Sequence, residues 1–213
     1  MDVNMQWLRE TRAKNAAAAL EKNGFAAVWF AKGEDAVTHI LGLVPDKASV
    51  GLGGSATVRS LGLIEALAGK DCTLLDHSAP GLSPEQRQEI RRRQLISDVF
   101  LCSSNAVTLN GELVNVDGTG NRAAAMMFGP GKVIVVAGVN KVVNTVEEAR
   151  ARIRTFAAPA NNKRLNSDNP CTHTGHCMDC RNKTRYCNIT TIIHRRPLLT
   201  DIHTVIIGEE LGF

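Results

Sequence analysis

The period of apolar positions changes repeatedly along this chain, and each change marks an element. Residues 4–23 are rich in Ala, Leu, Glu and Lys and close on Asn23-Gly24, a left-handed stop, which predicts a helix. The apolar run 25–30 has the length of a buried strand, and 34–43 suits a second helix ended by Pro45. Residues 49–52 are a further strand that runs straight into Gly53, Gly54, Ser55, Ala56 and Thr57. Helix, strand, helix, strand is the alternation of an α/β protein.

Beyond that point 60–68 reads as helical and 72–75 as extended, and Ser83-Pro84 places an N-cap and a first-turn proline at the start of a long helix reaching Ser97-Asp98. A strand at 99–102 follows. Asn110-Gly111 then sits between 107–109 and 113–116 as a two-residue hairpin turn, which makes the sheet mixed. A helix is expected over 122–128, and the apolar stretch 132–137 reads as a strand buried on both faces. Thr145 and Glu148 form a capping box that opens a last helix to residue 158. Residues 159–188 lose apolar periodicity and read as a cysteine-rich, loop-rich excursion. Residues 189–193 and 202–207 return to strand pattern and rejoin the main sheet. The expectation is one domain over residues 1–213.

Composition narrows the class. The chain is 44% hydrophobic and 22% charged, a mix that folds. Charges at Asp2, Arg9, Glu10, Arg12 and Lys14 interrupt any leader-like apolar stretch, and no run approaches a membrane span, so no membrane role and a cytoplasmic location are expected. A reducing compartment disfavours structural disulfides among the six cysteines. The net charge of +4 is too mild to imply a polyanionic partner. Two basic clusters, Arg87 with Arg91, Arg92 and Arg93, and Arg181, Lys183, Arg185, Arg195 and Arg196, read as solvated faces.

Cys171, Cys177, Cys180 and Cys187 give the strongest chemical signal, a C-x5-C-x2-C-x6-C spacing that suits a tetrahedral zinc site or an iron–sulfur cluster. His173 and His176 are alternative zinc ligands, and a redox dithiol across 177 and 180 or four reduced thiols are the competing readings. Cys72 and Cys102 read as core. A second signal is Gly51-Leu-Gly53-Gly54-Ser55-Ala56-Thr57, whose glycines admit a ligand close to the backbone and whose hydroxyls suit a phosphate or carboxylate. It matches neither a dinucleotide nor a Walker fingerprint, so no flavin or nicotinamide motif is seen, and a plain tight turn is the bland reading. A third is Asp117, Gly118, Thr119, Asn121 and Arg122, either a polar binding loop or a capped helix start. Asn140 and Lys141 follow the strand 132–137, where open α/β sheets place ligand groups. Among the histidines only His77, beside Asp76, has a catalytic position, while His39, His194 and His203 read as structural. No catalytic residue is identified.

The ordered set Val50-Gly-Leu-Gly-Gly-Ser-Ala-Thr57, Leu61-Gly-Leu-Ile-Glu-Ala-Leu67, Asn115-Val-Asp-Gly-Thr-Gly-Asn-Arg122, Gly129-Pro-Gly-Lys-Val-Ile-Val-Val-Ala-Gly-Val-Asn-Lys141 and Glu147-Glu-Ala149 resembles the LUD (lactate utilisation) domain family over roughly residues 5–160. The resemblance implies a Rossmann-like α/β sandwich with a mixed sheet, similar to sugar-phosphate isomerases and CoA transferases. It also implies an association with bacterial L-lactate oxidation beside iron–sulfur partner proteins. By position the ligand pocket is Gly53, Gly54, Ser55, Thr57, Asp117, Gly118, Thr119, Asn121, Arg122, Asn140 and Lys141. The cysteine segment resembles a subgroup distinct from the plain lactate-associated member. Three functions compete. The first is an organic-acid utilisation component that binds a small anionic metabolite and takes part in electron transfer. The second is a hydrolase, isomerase or transferase for a phosphorylated or CoA-linked metabolite, with structural zinc. The third is a nucleic-acid module at 171–196, disfavoured because Tyr186 is its one stacking aromatic. The sequence leaves the substrate and any homo-oligomer open.

Overall fold

The computed structural model describes residues 2–213. In chain order come α1 (Val3–Lys22), β1 (Ala26–Phe30), α2 (Gly33–Leu43), β2 (Ser49–Leu52), the short helices α3 (Ala56–Ser60) and α4 (Leu63–Ala68), β3 (Thr73–Leu75), α5 (Pro84–Gln94) and β4 (Val99–Cys102). Then follow β5 (Ala106–Thr108), β6 (Leu113–Asp117), α6 (Asn121–Met127), β7 (Lys132–Gly138), a 3-10 turn (Val139–Lys141), β8 (Val142–Val143) and α7 (Val146–Arg152). A π-helical turn (Ile153–Ala157) runs on into α8 (Ala158–Arg164), and α9 (Cys171–Thr174), β9 (Ile189–Ile193) and β10 (Ile202–Ile207) complete the chain. No helix among the described residues is long and apolar enough to cross a membrane.

Six strands pair in parallel in the order β1-β10-β7-β4-β2-β3. β7 shows why this sheet is buried on both faces: Val133, Val135 and Ala137 enter one apolar cluster with α1, while Ile134 and Val136 enter the other with α2 and α4. The Rossmann-like α/β sandwich expected from the sequence forms, and its antiparallel pairing lies in a second sheet of order β8-β5-β6-β9. That sheet buries Val107, Leu113 and Ile193 against α1 and the parallel sheet, and Ala106 and Val114 against α7 and the π turn.

Four local expectations change. Residues 189–193 do not join the main sheet; β9 pairs with β6, Asp117 opposite Ile189, and only β10 enters the parallel sheet. The hairpin loop is longer than two residues. The Thr108 amide donates to the Glu112 carbonyl, and Gly111 takes φ +80°, the geometry of a three-residue loop with a left-handed glycine. The last helix does not stop before Pro159. Proline lacks an amide to donate, and the π turn that precedes it resets the ladder so that Pro159 falls in the first turn of α8. The capping box at residue 145 is half made. Thr145 accepts from the Glu148 amide, while the Glu148 carboxylate takes the Asn144 amide and side chain instead.

Gly111 is the point where the second sheet meets α1, since a Cβ there would stand 2.4 Å from the Ala19 carbonyl oxygen. Asn23 reinforces the contact by donating to the carbonyls of Asn110 and Gly111. Gly111→Ala is therefore expected to cost about 2 kcal/mol or more, combining left-handed strain with the clash, and to lower Tm by roughly 4 °C or more. Gly62→Ala, at φ +67° with open space around the missing Cβ, carries the strain alone. Thermal unfolding of the two variants should separate them, and equal losses would show that the α1 contact contributes nothing.

Candidate functional site

Brought together at the carboxyl ends of β3, β2, β4 and β7 is a cleft of about 490 Å³. The chain goes outward from β2 to β3, then returns to build β4 and β7 on the other side, so the cleft stands where the strand order reverses. Backbone crowding there requires glycine: a Cβ on Gly53 would meet the Cys102 Cβ at 2.8 Å. Its neighbour Gly54 has φ +71°.

Of the residues selected from the sequence, Gly53, Gly54, Ser55, Asp117, Gly118, Thr119, Asn121, Arg122 and Lys141 line this cleft. Several of them have structural duties. Ser55 caps α3 by accepting from the Val58 amide, and Asp117 accepts from the Ala123 amide at the start of α6. Arg122 donates to the Ser103 and Val116 carbonyls and to the Asn115 and Asn105 side chains at 2.6–2.9 Å. With its Nε 3.6 Å from Asp117, the guanidinium forms part of the wall and keeps no free terminal N–H for a ligand.

Thr57 and Asn140 do not line the cleft. Thr57 donates to the Leu211 carbonyl, and Asn140 donates to the Gly212 carbonyl and accepts from the Leu211 amide, so both hold the segment that carries Phe213 to the cleft wall. In a second correction, Arg87 and Arg91 are not a solvated face. Both line the cleft, as do Arg164, Asn161, Ser103 and Ser104. Arg164 is partly desolvated and donates to the Gly54 carbonyl, and Arg87 donates to the His77 carbonyl. Sequence offered one signal for these arginines, their i, i+4 spacing along a capped helix.

His77 also lines the cleft. The buried Gln94 side chain donates its two N–H bonds to the Leu52 and Leu75 carbonyls and lies 3.0 Å from His77 Nδ1. Burial first, then the positive charge of Arg91, holds the His77 pKa below the usual value and favours the neutral ring. The other three histidines expected to be structural lie outside the cleft: His39 packs on Phe30, His194 pairs with Glu112 and His203 with Asp201.

Lys141 is 3% exposed, and its Nζ donates to the Thr57 and Ser103 hydroxyls at 2.8 and 2.9 Å. Burial, followed by the charges of Arg152 and Arg122, brings its pKa down to about 7. Cys102, beneath it, is fully buried, and its thiol is pushed up to about 12, which makes it inert core. Cys72 packs on the opposite apolar cluster.

All four of Cys171, Cys177, Cys180 and Cys187 line one small cavity, together with Met178, Arg185 and Asn169. As positioned, no three His, Cys, Asp or Glu side chains among the described residues lie close enough to hold a single metal ion. The two histidines in this segment stay outside. His173 binds Asp168 and His176 contacts the Thr174 carbonyl, both at the surface. Arg185 braces the loop through the Cys180 and Cys187 carbonyls. Burial first and the neighbouring sulfurs next raise the pKa of Cys171 and Cys187, the mark of thiols that crowd one another. The two cavities share Tyr186 as a wall. The Asn188 amide donates to the Asp117 carbonyl and so fastens the cysteine loop to the rim of the cleft.

A parallel sheet with an arginine-lined cleft at its switch point defines a Rossmann-like α/β protein. A family model for the LUD domain matches residues 13–207, most of the chain, and the chain belongs to the LUD domain family. A solved structure of a DUF162 family protein from Deinococcus radiodurans shares the fold, with a TM-score of 0.54 and 15% identity over 94% of this chain and 98% of that one. No curated protein matches the chain.

Lys141 sets a pH dependence whose sign follows from its lowered pKa. Between about pH 7 and the ordinary lysine value the unfolded chain binds the proton that the folded one has lost, so this residue costs most stability below pH 7 and progressively less as pH rises. Lys141→Met is expected to be more stable than the wild type by a few kcal/mol at pH 6, with the advantage shrinking toward pH 10. Urea unfolding at pH 6, 8 and 10 measures it, and a difference flat with pH would rule the burial account out.

Proposed function

We propose that this chain is a cytoplasmic component of organic-acid utilisation that binds a small anionic metabolite in the switch-point cleft and holds an iron–sulfur cluster on Cys171, Cys177, Cys180 and Cys187. The general role in organic-acid utilisation rests on membership in the LUD domain family. One observation carries the finer reading: a cleft walled by arginine and lysine shares a single residue, Tyr186, with a cavity lined by all four cysteines.

Cation excess decides the ligand class. Arg87, Arg91 and Arg164 converge on the cleft, against Asp117, whose carboxylate is engaged by Arg122 and the Ala123 amide. A carboxylate or phosphate recovers the solvation these cations give up, and charge-assisted bonds to guanidinium favour it further. His77 lines the same wall, and Ser55, whose oxygen accepts from the Val58 amide, keeps its own hydroxyl proton for a ligand.

The donor set suits a cluster. Four thiols line one cavity, and in a cubane each cysteine would take its own iron. When bound, a cluster supplies a one-electron carrier beside the cleft. Iron–sulfur redox proteins are the partners this chemistry calls for.

Purification without oxygen or added metal, followed by iron, zinc and sulfide analysis, tests the centre: about four irons with matching sulfide are expected, and Cys171→Ser with Cys187→Ser should abolish them. One zinc per chain would turn the cysteine loop into a structural clasp and favour a hydrolase, isomerase or transferase acting on a phosphorylated or CoA-linked metabolite. For the cleft, calorimetric titration with lactate, pyruvate and inorganic phosphate is expected to show binding that weakens about tenfold in Arg91→Ala, the loss of one charge-assisted contact. Affinity unchanged in that variant would place the anion elsewhere.

A further inference from the structure

Lys141 is more than a positive charge on the cleft wall. Its Nζ sits between two hydroxyls whose own protons are committed elsewhere, since Thr57 Oγ1 donates to the Leu211 carbonyl and Ser103 Oγ to the Ser104 carbonyl. Both hydroxyls therefore present lone pairs to the amine, which must donate twice. A neutral primary amine has two N–H bonds and one lone pair. With both N–H bonds used, the lone pair is what remains for the cleft that this residue lines. No carboxylate lies within ion-pair distance of Nζ among the described residues, so nothing in the wall holds the proton on it. Arg122 and Arg152, each fixed to backbone carbonyls nearby, add positive charge that favours the neutral form.

A desolvated amine of this kind, held by donors and surrounded by cations, is a nucleophile for a carbonyl carbon. The arginines restrict the partner to an anion. We infer that Lys141 forms an imine with the carbonyl of a small 2-oxo acid whose carboxylate is held by the cleft arginines. This rests on the anion-binding reading of the cleft and adds the reaction to it. The Nζ lone pair attacks the carbonyl carbon to form the C–N bond, and the carbonyl oxygen takes a proton to give a carbinolamine. The C–O bond then breaks and the oxygen leaves as water, carrying one hydrogen from the amine and one proton from solvent, which leaves a protonated imine with a single N–H. No oxidant or reductant enters. The imine withdraws electrons from the carbon next to it, so the site would activate that carbon's C–H bonds.

Pyruvate with cyanoborohydride at pH 7, followed by intact mass and peptide mapping of the full chain, tests this, with calorimetric titration of pyruvate and acetate run in parallel. A reduced adduct is expected at Lys141, in excess over any other lysine by on the order of a hundredfold, because an ordinary exposed lysine holds roughly a thousandth as much neutral amine at that pH. Labelling should rise with a midpoint near pH 7, be suppressed by excess acetate and be absent from Lys141→Arg. Pyruvate that binds in competition with acetate yet leaves Lys141 unlabelled, or labels surface lysines equally, overturns the imine while the anion cleft stands. Absence of binding by either acid removes the cleft reading and the imine with it.

Discussion

The guanidinium of Arg122 joins the two sheets, and the site is built around that junction. It reaches the backbone just past β4, through the Ser103 carbonyl, and the second sheet, through Asn115, Val116 and Asn105. Without it the Ser103 carbonyl past the end of β4 and the Val116 carbonyl of β6 would lose a charged donor that they share. The cost of taking a guanidinium out of water is met by four acceptors and a nearby carboxylate, which is why the residue can be buried so close to a second cation. Its Cδ also lies 3.5 Å from where a Cβ on Gly53 would stand, so glycine turn and arginine define one another's space.

That second cation is Lys141, and its surroundings follow from the first. Because Arg122 takes the acceptors on this side of the cleft, only hydroxyls are left for the amine. Hydroxyls solvate a neutral amine adequately and an ammonium poorly, and the adjoining guanidinium charges push in the same direction. The fold thus spends its strong acceptors on one cation and leaves the other lightly held. The cleft wall adds the guanidinium charges of Arg87, Arg91 and Arg164 around that amine.

How much of this was legible in the sequence depends on the range of the interaction. The α/β alternation could be read because apolar period is local, and so could the turn at Gly53 and Gly54 and the loop at 117–122, whose glycines mark backbone that must bend. Lys141 could be placed at a strand end, but its burial could not, since that depends on Thr57, Ser103 and Arg152 arriving from three other elements. Thr57 and Asn140 looked like ligand groups because their chemistry fits; the tail at 211–212 claims them, a contact across more than 70 positions. Arg87 and Arg91 looked solvated because a helix period says which residues share a face and not what that face meets. The hairpin was visible and its sheet was not, because β6 pairs with β9 across the whole cysteine segment.

The cysteine segment shows how a loop without apolar periodicity can be held in place. Its anchors are polar: the buried Asn169 bonds to Asn162 on α8 and to the Thr184 carbonyl and hydroxyl, and Arg185 closes the far side on the Cys180 and Cys187 carbonyls. The π turn matters here, because by carrying the helix past Pro159 it brings Ala157 and Asn161 to the switch-point cleft and Ala158 and Asn162 to the cysteine cavity. One continuous helix therefore forms a floor for both, and Tyr186 forms the partition. A change in either cavity that moved α8 or Tyr186 would move a wall of the other, because both cavities are lined by that helix and that ring.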